Sequence, residues 1–157
     1  MLIVIGLGNY LRGDDGIGPV IIQKLEEYHR SLQIKLVDAG SDAFTVLNYL
    51  LGSDPVLIID CARMGEKPGT VQKIIPENTK FSTLDMGISL HGYHLAELWQ
   101  IARSMGVKTR LSIIGIEPDA VEFNSGLSGA VEKSIPIILQ MVEEEANQYA
   151  AKDTHYR

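Results

Sequence analysis

Strand-like and helix-like segments alternate along the chain, which predicts an α/β fold. The strand-like runs are short and unbroken in their apolar character, as strands covered on both faces must be. Several end on glycine or aspartate, the punctuation of turns that leave a strand. Together these features predict a three-layer α/β/α sandwich around a central, mostly parallel sheet of about five strands.

Leu2 to Ile5 is an apolar run ending in Gly6-Leu7-Gly8, a buried strand feeding a glycine-rich turn. A helix is expected to open near Asp15, with Ile17, Val20, Ile21, Leu25 and Tyr28 on one stripe. Pro19 falls in its first turn, where a missing N–H is harmless. Ile34 to Val37 reads as the second strand, stopped by Asp38-Ala39-Gly40. Ser41 is the expected N-cap of the next helix, whose Phe44, Leu47 and Leu51 share a face. Gly52-Ser53-Asp54-Pro55 ends that helix, and Val56 to Ile59 is the third buried strand, closing on Asp60.

Pro68-Gly69 marks a turn before Thr70 to Ile75, a weaker strand suited to a sheet edge and ended by Pro76. Residues 77 to 88 show no period and read as a loop. A helix is expected from about His91 to Met105, with Leu95, Leu98, Trp99 and Ala102 buried and Gly106 as its stop. Leu111 to Ile114 is the last strand and leads into Gly115-Ile116-Glu117-Pro118-Asp119. The final helix should start near Ser128, turn Val131, Ile135, Ile138 and Val142 inward, and kink at Pro136. Residues after about Gln148 read as a frayed tail, so residues 1–150 are expected to form one domain and 151–157 a flexible end.

The 157 residues suffice for a continuous core without a disulfide or structural metal. A formal charge of −6, with lysines and arginines scattered, argues against a phosphate-backbone partner. Cys61 is the only cysteine, so no internal disulfide can form, and a lone thiol suits a reducing compartment. The N-terminus lacks a basic leader, and no apolar stretch approaches the roughly 20 residues that span a bilayer. A cytoplasmic protein is expected, monomeric by default.

In doubly wound sheets, sites form at the carboxyl ends of strands. Those ends hold Asp15, Asp38, Asp60 and the Glu117-Pro118-Asp119 loop, joined by His91 if its helix begins at the same edge. Carboxylates and imidazole suit a borderline divalent ion such as nickel or zinc, with positions left for water or substrate. Each residue also has a plainer explanation. Asp14 and Asp15 begin a helix, and capping accounts for at least one of them. Asp38 precedes a turn and fits an Asx turn, Glu117 and Asp119 flank a turn proline, and Cys61 fits as a small core residue. His91 shares a helical face with Leu95 and Leu98, the setting of a core histidine, with His94 as its neighbour. Asp60 resists dismissal, because an acid closing an apolar strand needs a partner or a purpose.

The glycine-rich start also invites a dinucleotide-binding reading, but Leu11 stands where the third glycine of G-x-G-x-x-G belongs. Gly-x-Ser-x-Gly and His-Glu-x-x-His are both absent, which disfavours serine hydrolases and conventional zinc proteases. An Asp15–Asp60 dyad sharing a proton and activating water without a metal stays open.

The ordered set Gly6-Leu7-Gly8-Asn9, Gly13-Asp14-Asp15-Gly16-Ile17-Gly18-Pro19, Asp38-Ala39-Gly40-Ser41, Leu57-Ile58-Ile59-Asp60-Cys61-Ala62, Pro68-Gly69-Thr70, Ser89-Leu90-His91 and Gly115-Ile116-Glu117-Pro118-Asp119 resembles the hydrogenase maturation proteases. Each match is weak alone, whereas the series, in family order over about the first 120 residues, is specific. The resemblance implies an endopeptidase that removes a C-terminal extension from the nickel-loaded precursor of a nickel–iron ([NiFe]) hydrogenase large subunit. It implies Asp15, Asp60 and His91 as metal ligands and catalytic candidates, with nickel supplied by the precursor. Nickel-activated water, a carboxylate base such as Asp15 or Asp38, and a metal used only for docking all fit these residues as the means of attack on the peptide bond. Relatives often carry a second glycine and a threonine where this chain has Ala39 and Ser41. Two other readings of the same residues are a nickel-sensing checkpoint protein that cleaves nothing and a Rossmann-type nucleotide-binding domain.

Overall fold

The computed structural model describes residues 1–28, 31–78, 85–86 and 94–154. β1 (Leu2–Leu7) is buried along its whole length, which its unbroken apolar sequence requires. It lies inside the sheet, parallel to β2 (Ile34–Gly40) on one side and to β3 (Val56–Arg63) on the other. β3 pairs in turn with β6 (Leu111–Ile116), again parallel. β4 (Val71–Ile74) runs antiparallel to β6 at the sheet edge, as its weaker apolar pattern suggests. The order is β2-β1-β3-β6-β4, with the two-residue β5 (Asp85–Met86) set on β3 off this path.

Helices cover both faces, so the sandwich has the three layers its sequence predicts. Val46, Leu50, Leu98 and Trp99 of α2 (Ala43–Leu50) and α3 (Leu95–Ser104) pack on Ile3, Ile5, Ile58 and Ile113. On the other face, Ile17, Ile21 and Leu25 of α1 (Ile17–Tyr28) and Ile138 and Val142 of α5 (Ile135–Thr154) pack on Val4, Leu57, Ile59 and Ile114. Each buried leucine or isoleucine contributes about 1.5–3 kcal/mol through its removal from water.

Local details depart from expectation in physically readable ways. α1 starts at Ile17, after a 3-10 turn over Gly13–Gly16. Its stripe includes Ile22 and stops at Leu25, and Tyr28 in the last position is exposed. The α2 cap is Asp42 rather than Ser41; Asp42 Oδ1 accepts the Phe44 N–H at 3.0 Å and Oδ2 the Thr45 hydroxyl at 2.8 Å. The buried face is accordingly Ala43, Val46 and Leu50, one residue out of step with the expected one, and Phe44 is 80 % exposed. Ser128 caps a separate short helix, α4 (Gly129–Glu132), so Pro136 falls in the first turn of α5, where it needs no kink. α5 continues past Gln148 to Thr154, so the expected frayed end is helical that far. α3 starts at Leu95, with the His94 N–H bonded to Glu97 Oε2 at 2.8 Å, and Gly106 at φ 81° ends it.

Two glycines set the distance between α1 and the sheet. A Cβ on Gly18 would stand 2.2 Å from the Leu7 carbonyl oxygen and 2.7 Å from that of Ile59. A Cβ on Gly6 would meet the Gly18 carbonyl oxygen at 2.6 Å. The close helix–strand approach that a third glycine gives in G-x-G-x-x-G is thus supplied by Gly18, while Leu11 is 56 % exposed. Gly18→Ala is expected to cost about 2–4 kcal/mol, because only backbone can give way. A lower urea midpoint at unchanged m-value would show it.

Candidate active site

The strand order reverses direction between β1 and β3, since the chain moves from β1 outward to β2 and then returns to β3 on the opposite side. The carboxyl ends of those two strands flank the crevice where doubly wound sheets hold ligands. Asp60 lies there, inside β3 rather than at its end, because β6 extends to Ile116 and Gly115 pairs with it. Asp15 reaches the same place from the loop after β1. Gly8, at φ 125°, turns that loop so tightly that a Cβ would sit 1.8 Å from the Asp15 carbonyl oxygen.

Among the described residues, five acids are buried: Asp14, Asp15, Asp60, Glu117 and Glu145. Three are satisfied. Asp14 accepts the N–H groups of Asp119 (2.8 Å), Ala120 (2.9 Å) and Ser128 (2.6 Å) and the Ser128 hydroxyl (2.8 Å). Glu117 accepts the Met64 N–H, and Glu145 pairs with Lys73 and the Ser112 hydroxyl. Asp15 and Asp60 differ. Asp15 Oδ2 accepts the Asn9 N–H at 2.9 Å, but Asp15 Oδ1 and Asp60 Oδ1 are buried with no hydrogen-bond partner among the described residues. Burying a polar atom unsatisfied costs about 1–3 kcal/mol, and more when it is charged, so two such atoms at one switch point indicate a ligand-binding role.

Their electrostatics agree. Burial, and then the charge of Asp15, push the Asp60 carboxyl well above the ordinary range, against a weaker opposing hydrogen bond from the Cys61 backbone. Burial also raises Asp15, opposed by the Asn9 N–H and the Arg12 charge. The Cys61 thiol, buried beside the pair, is pushed far up by burial and by the neighbouring acids, which leaves it a core group and no nucleophile.

The structure therefore brings Asp15 and Asp60 together. Asp38 stands on β2, with β1 between it and Asp60, exposed and with Oδ1 accepting the Gly40 N–H at 3.1 Å in an Asx turn. Glu117 and Asp119 belong to the loop that Asp14 ties down. His91 lies outside the described residues. Among the described residues no three acid, histidine or cysteine side chains gather as a closed metal site would need. The two orphaned oxygens nevertheless fit a divalent cation, which takes hard oxygen donors and relieves like-charge crowding. A pyrophosphate fits poorly, because the start of α1 follows two buried acids.

Two residues of the first loop have roles that sequence reasoning did not give them. Asn9 orients Asp15 through its N–H and caps its own loop, Oδ1 accepting the Leu11 N–H at 2.9 Å. Asp14, which resembled a helix cap, instead clamps a segment more than 100 residues away. Nothing local in the sequence signals that clamp.

A doubly wound sheet carrying an open pair of buried acids at its switch point is the frame of a ligand-binding α/β enzyme. The family model described as "Hydrogenase maturation protease" matches residues 19–145. The coenzyme F420 hydrogenase subunit delta of Methanothermobacter thermautotrophicus is 29 % identical, over 92 % of this chain and 93 % of its own. The hydrogenase maturating endopeptidase HybD of Escherichia coli superposes with a TM-score of 0.79 at 25 % identity, over 94 % of this chain and 93 % of that one. A hydrogenase 2 maturation peptidase from Thaumarchaeota archaeon SCGC_AB-539-E09 gives a TM-score of 0.66 at 25 % identity, over 92 % and 96 %.

The chain belongs to the hydrogenase maturation protease family. It is a hydrolase of the endopeptidase type, which sets aside the checkpoint and nucleotide-binding readings.

Proposed function

We propose that the protein removes the C-terminal extension from the nickel-loaded precursor of a [NiFe] hydrogenase large subunit. It would act in the cytoplasm as a monomer, with nickel arriving on the substrate. The supporting observation is the pair of orphaned carboxylate oxygens, Asp15 Oδ1 and Asp60 Oδ1, at the switch point of a maturation-protease fold.

Burial raises both carboxyls, and the charge of Asp15 raises Asp60 further, so a cation brought to the pair would favour their ionised forms. A nickel ion carried by the precursor would take both oxygens, with His91 as a third ligand carried over from the family resemblance. The energy gained in this exchange is available only to loaded precursor, so the ion acts as a specificity element. Docking there holds the extension's peptide bond beside the acids, where a carboxylate or the ion itself can activate water. Asp38, on the outer strand of the same edge, is the further candidate base. No described helix is long and apolar enough to cross a membrane, which accords with a diffusible substrate partner.

The deciding experiment incubates nickel-loaded and nickel-free precursor with the protein and reads the mass of each. Loss of a C-terminal peptide from the loaded form alone is expected. Shortening of both forms would overturn nickel recognition, and shortening of neither would overturn the processing reaction.

A further inference from the structure

Two motifs of the sequence have no part in the proposed chemistry, Pro68-Gly69-Thr70 and Gly115-Ile116-Glu117-Pro118-Asp119. The fold joins them at Glu117. Its N–H donates to the Thr70 carbonyl at 2.9 Å, and its carbonyl accepts the Gly69 N–H at 2.8 Å. The turn behind it is closely packed. A Cβ on Gly69, at φ 84°, would lie 2.5 Å from the Ala130 carbonyl oxygen, and the Ser134 hydroxyl donates to the Gly69 carbonyl. From this anchored backbone the buried Glu117 side chain reaches across to the end of β3, where Oε2 accepts the Met64 N–H at 2.5 Å.

Met64 follows the least supported stretch of β3. On one side β1 leaves at the Gly6–Ile59 pair, one residue before Asp60. On the other side β6 stays paired only as far as Cys61, opposite Ile116. Ala62 and Arg63 have β5 as their strand partner, and β5 is two residues long. The Glu117 carboxylate holds the chain at the next residue, so Asp60 is fixed from both ends of this stretch. That support matters because Asp60 Oδ1 has no partner among the described residues to hold the side chain. Its aim depends on the backbone that carries it.

We infer that Glu117 is a positioning residue, fixing the end of β3 so that Asp60 and Asp15 present their open oxygens to one cation. The inference rests on the reading of that pair as the nickel-recognising part of an endopeptidase. Such a site must be held to within about 0.5 Å, and a displacement of about 1 Å can cost on the order of a hundredfold in rate. The Met64 N–H requires an acceptor and not a charge, so a glutamine can take the place of Glu117.

The test uses the full chain with Glu117→Met, which keeps the stem and removes the acceptor, and Glu117→Gln, which keeps both. Thr109→Val is the control for the loss of a buried hydrogen bond elsewhere, since the Thr109 hydroxyl donates to the Asp54 carbonyl at the opposite end of β3. Three quantities are read where every variant is folded: kcat/KM on nickel-loaded precursor, the affinity of the protein alone for Ni2+, and amide hydrogen exchange at Met64. Glu117→Met is expected to lower kcat/KM and nickel affinity about tenfold each and to speed exchange at Met64. Glu117→Gln should return all three to within about threefold of wild type. Thr109→Val should lower Tm while leaving kcat/KM and nickel affinity within about twofold. Should Glu117→Met not fold, Glu117→Asp takes its place with the same expectations, because the shorter carboxylate withdraws from Met64. A fall in either kcat/KM or nickel affinity, recovered by Glu117→Gln, supports the inference. No fall in either, equal losses in the glutamine variant, or equal losses in Thr109→Val would overturn it. So would Met64 exchange in wild type as fast as in an unstructured chain. Wild type that binds nickel without cleaving, with binding weakened in Glu117→Met and recovered in Glu117→Gln, would support the brace and end the endopeptidase reading. Wild type that neither binds nor cleaves would overturn both.

Discussion

Asp60→Asn is expected to lose processing activity by at least about a hundredfold and at the same time to raise stability at neutral pH. The two effects share one cause. Asp60 is buried inside β3 with an oxygen that has no partner among the described residues, and the charge of Asp15 opposes its ionisation. An amide of the same shape removes the charge and leaves a cation only a weaker, neutral oxygen donor. A gain of about 1–3 kcal/mol follows from relieving an uncompensated buried charge, or about 2–4 °C in Tm per kcal/mol for a chain of this size. Near-normal cleavage by this variant would sink the role assigned to Asp60.

The pH dependence has a fixed sign. The folded values of Asp15 and Asp60 are both raised, so the folded protein retains protons that the unfolded chain releases near pH 3.9, an ordinary carboxyl value of about that size. Their contribution to stability is fully present below the unfolded value and is lost as the pH rises through the folded one. Without added metal, Tm should therefore fall from mildly acid toward neutral pH. The curve of Asp60→Asn should be flatter, converging with wild type at low pH and separating as the pH rises. Parallel curves would show that the pair is not held protonated.

Asp14→Ala should be the most destabilising change at any acid of the described chain, costing about 3–5 kcal/mol. It would strip the N–H groups of Asp119, Ala120 and Ser128 of their acceptor and leave the Ser128 hydroxyl without its carboxylate. Whole domains are stable by only about 5–15 kcal/mol, so this variant should unfold at a much lower urea midpoint. Asp14→Asn keeps one acceptor oxygen and should fall between. A midpoint close to wild type in the alanine variant would show that water replaces the clamp at little cost.

The two neighbouring acids thus divide the work, and only part of that division is legible in the sequence. The buried strands are legible because a strand covered on both faces must be apolar throughout, as Leu57 to Ile59 are. Asp60 is legible for the same reason, since it interrupts the least hydrated place in the sheet. The α2 face is not, because moving a cap from Ser41 to Asp42 turns the helix by one residue and both are competent caps. Asp14 is not, because its partners are 105 to 114 residues away and backbone donors have no signature in the sequence. Of the expected trio, the structure places Asp15 beside Asp60, and His91 lies outside the described residues.

The central place of β1 has a consequence for how the protein is made. β1 is paired on both sides by strands made after it, so during synthesis it waits for residues 34–40 and 56–59. The clamp that steadies Asp15 waits longer still, for Ser128, across a separation of 114 residues. Pairings this distant in sequence form slowly and late. During synthesis the nascent chain therefore carries its acids without a finished site until Ser128 has been made.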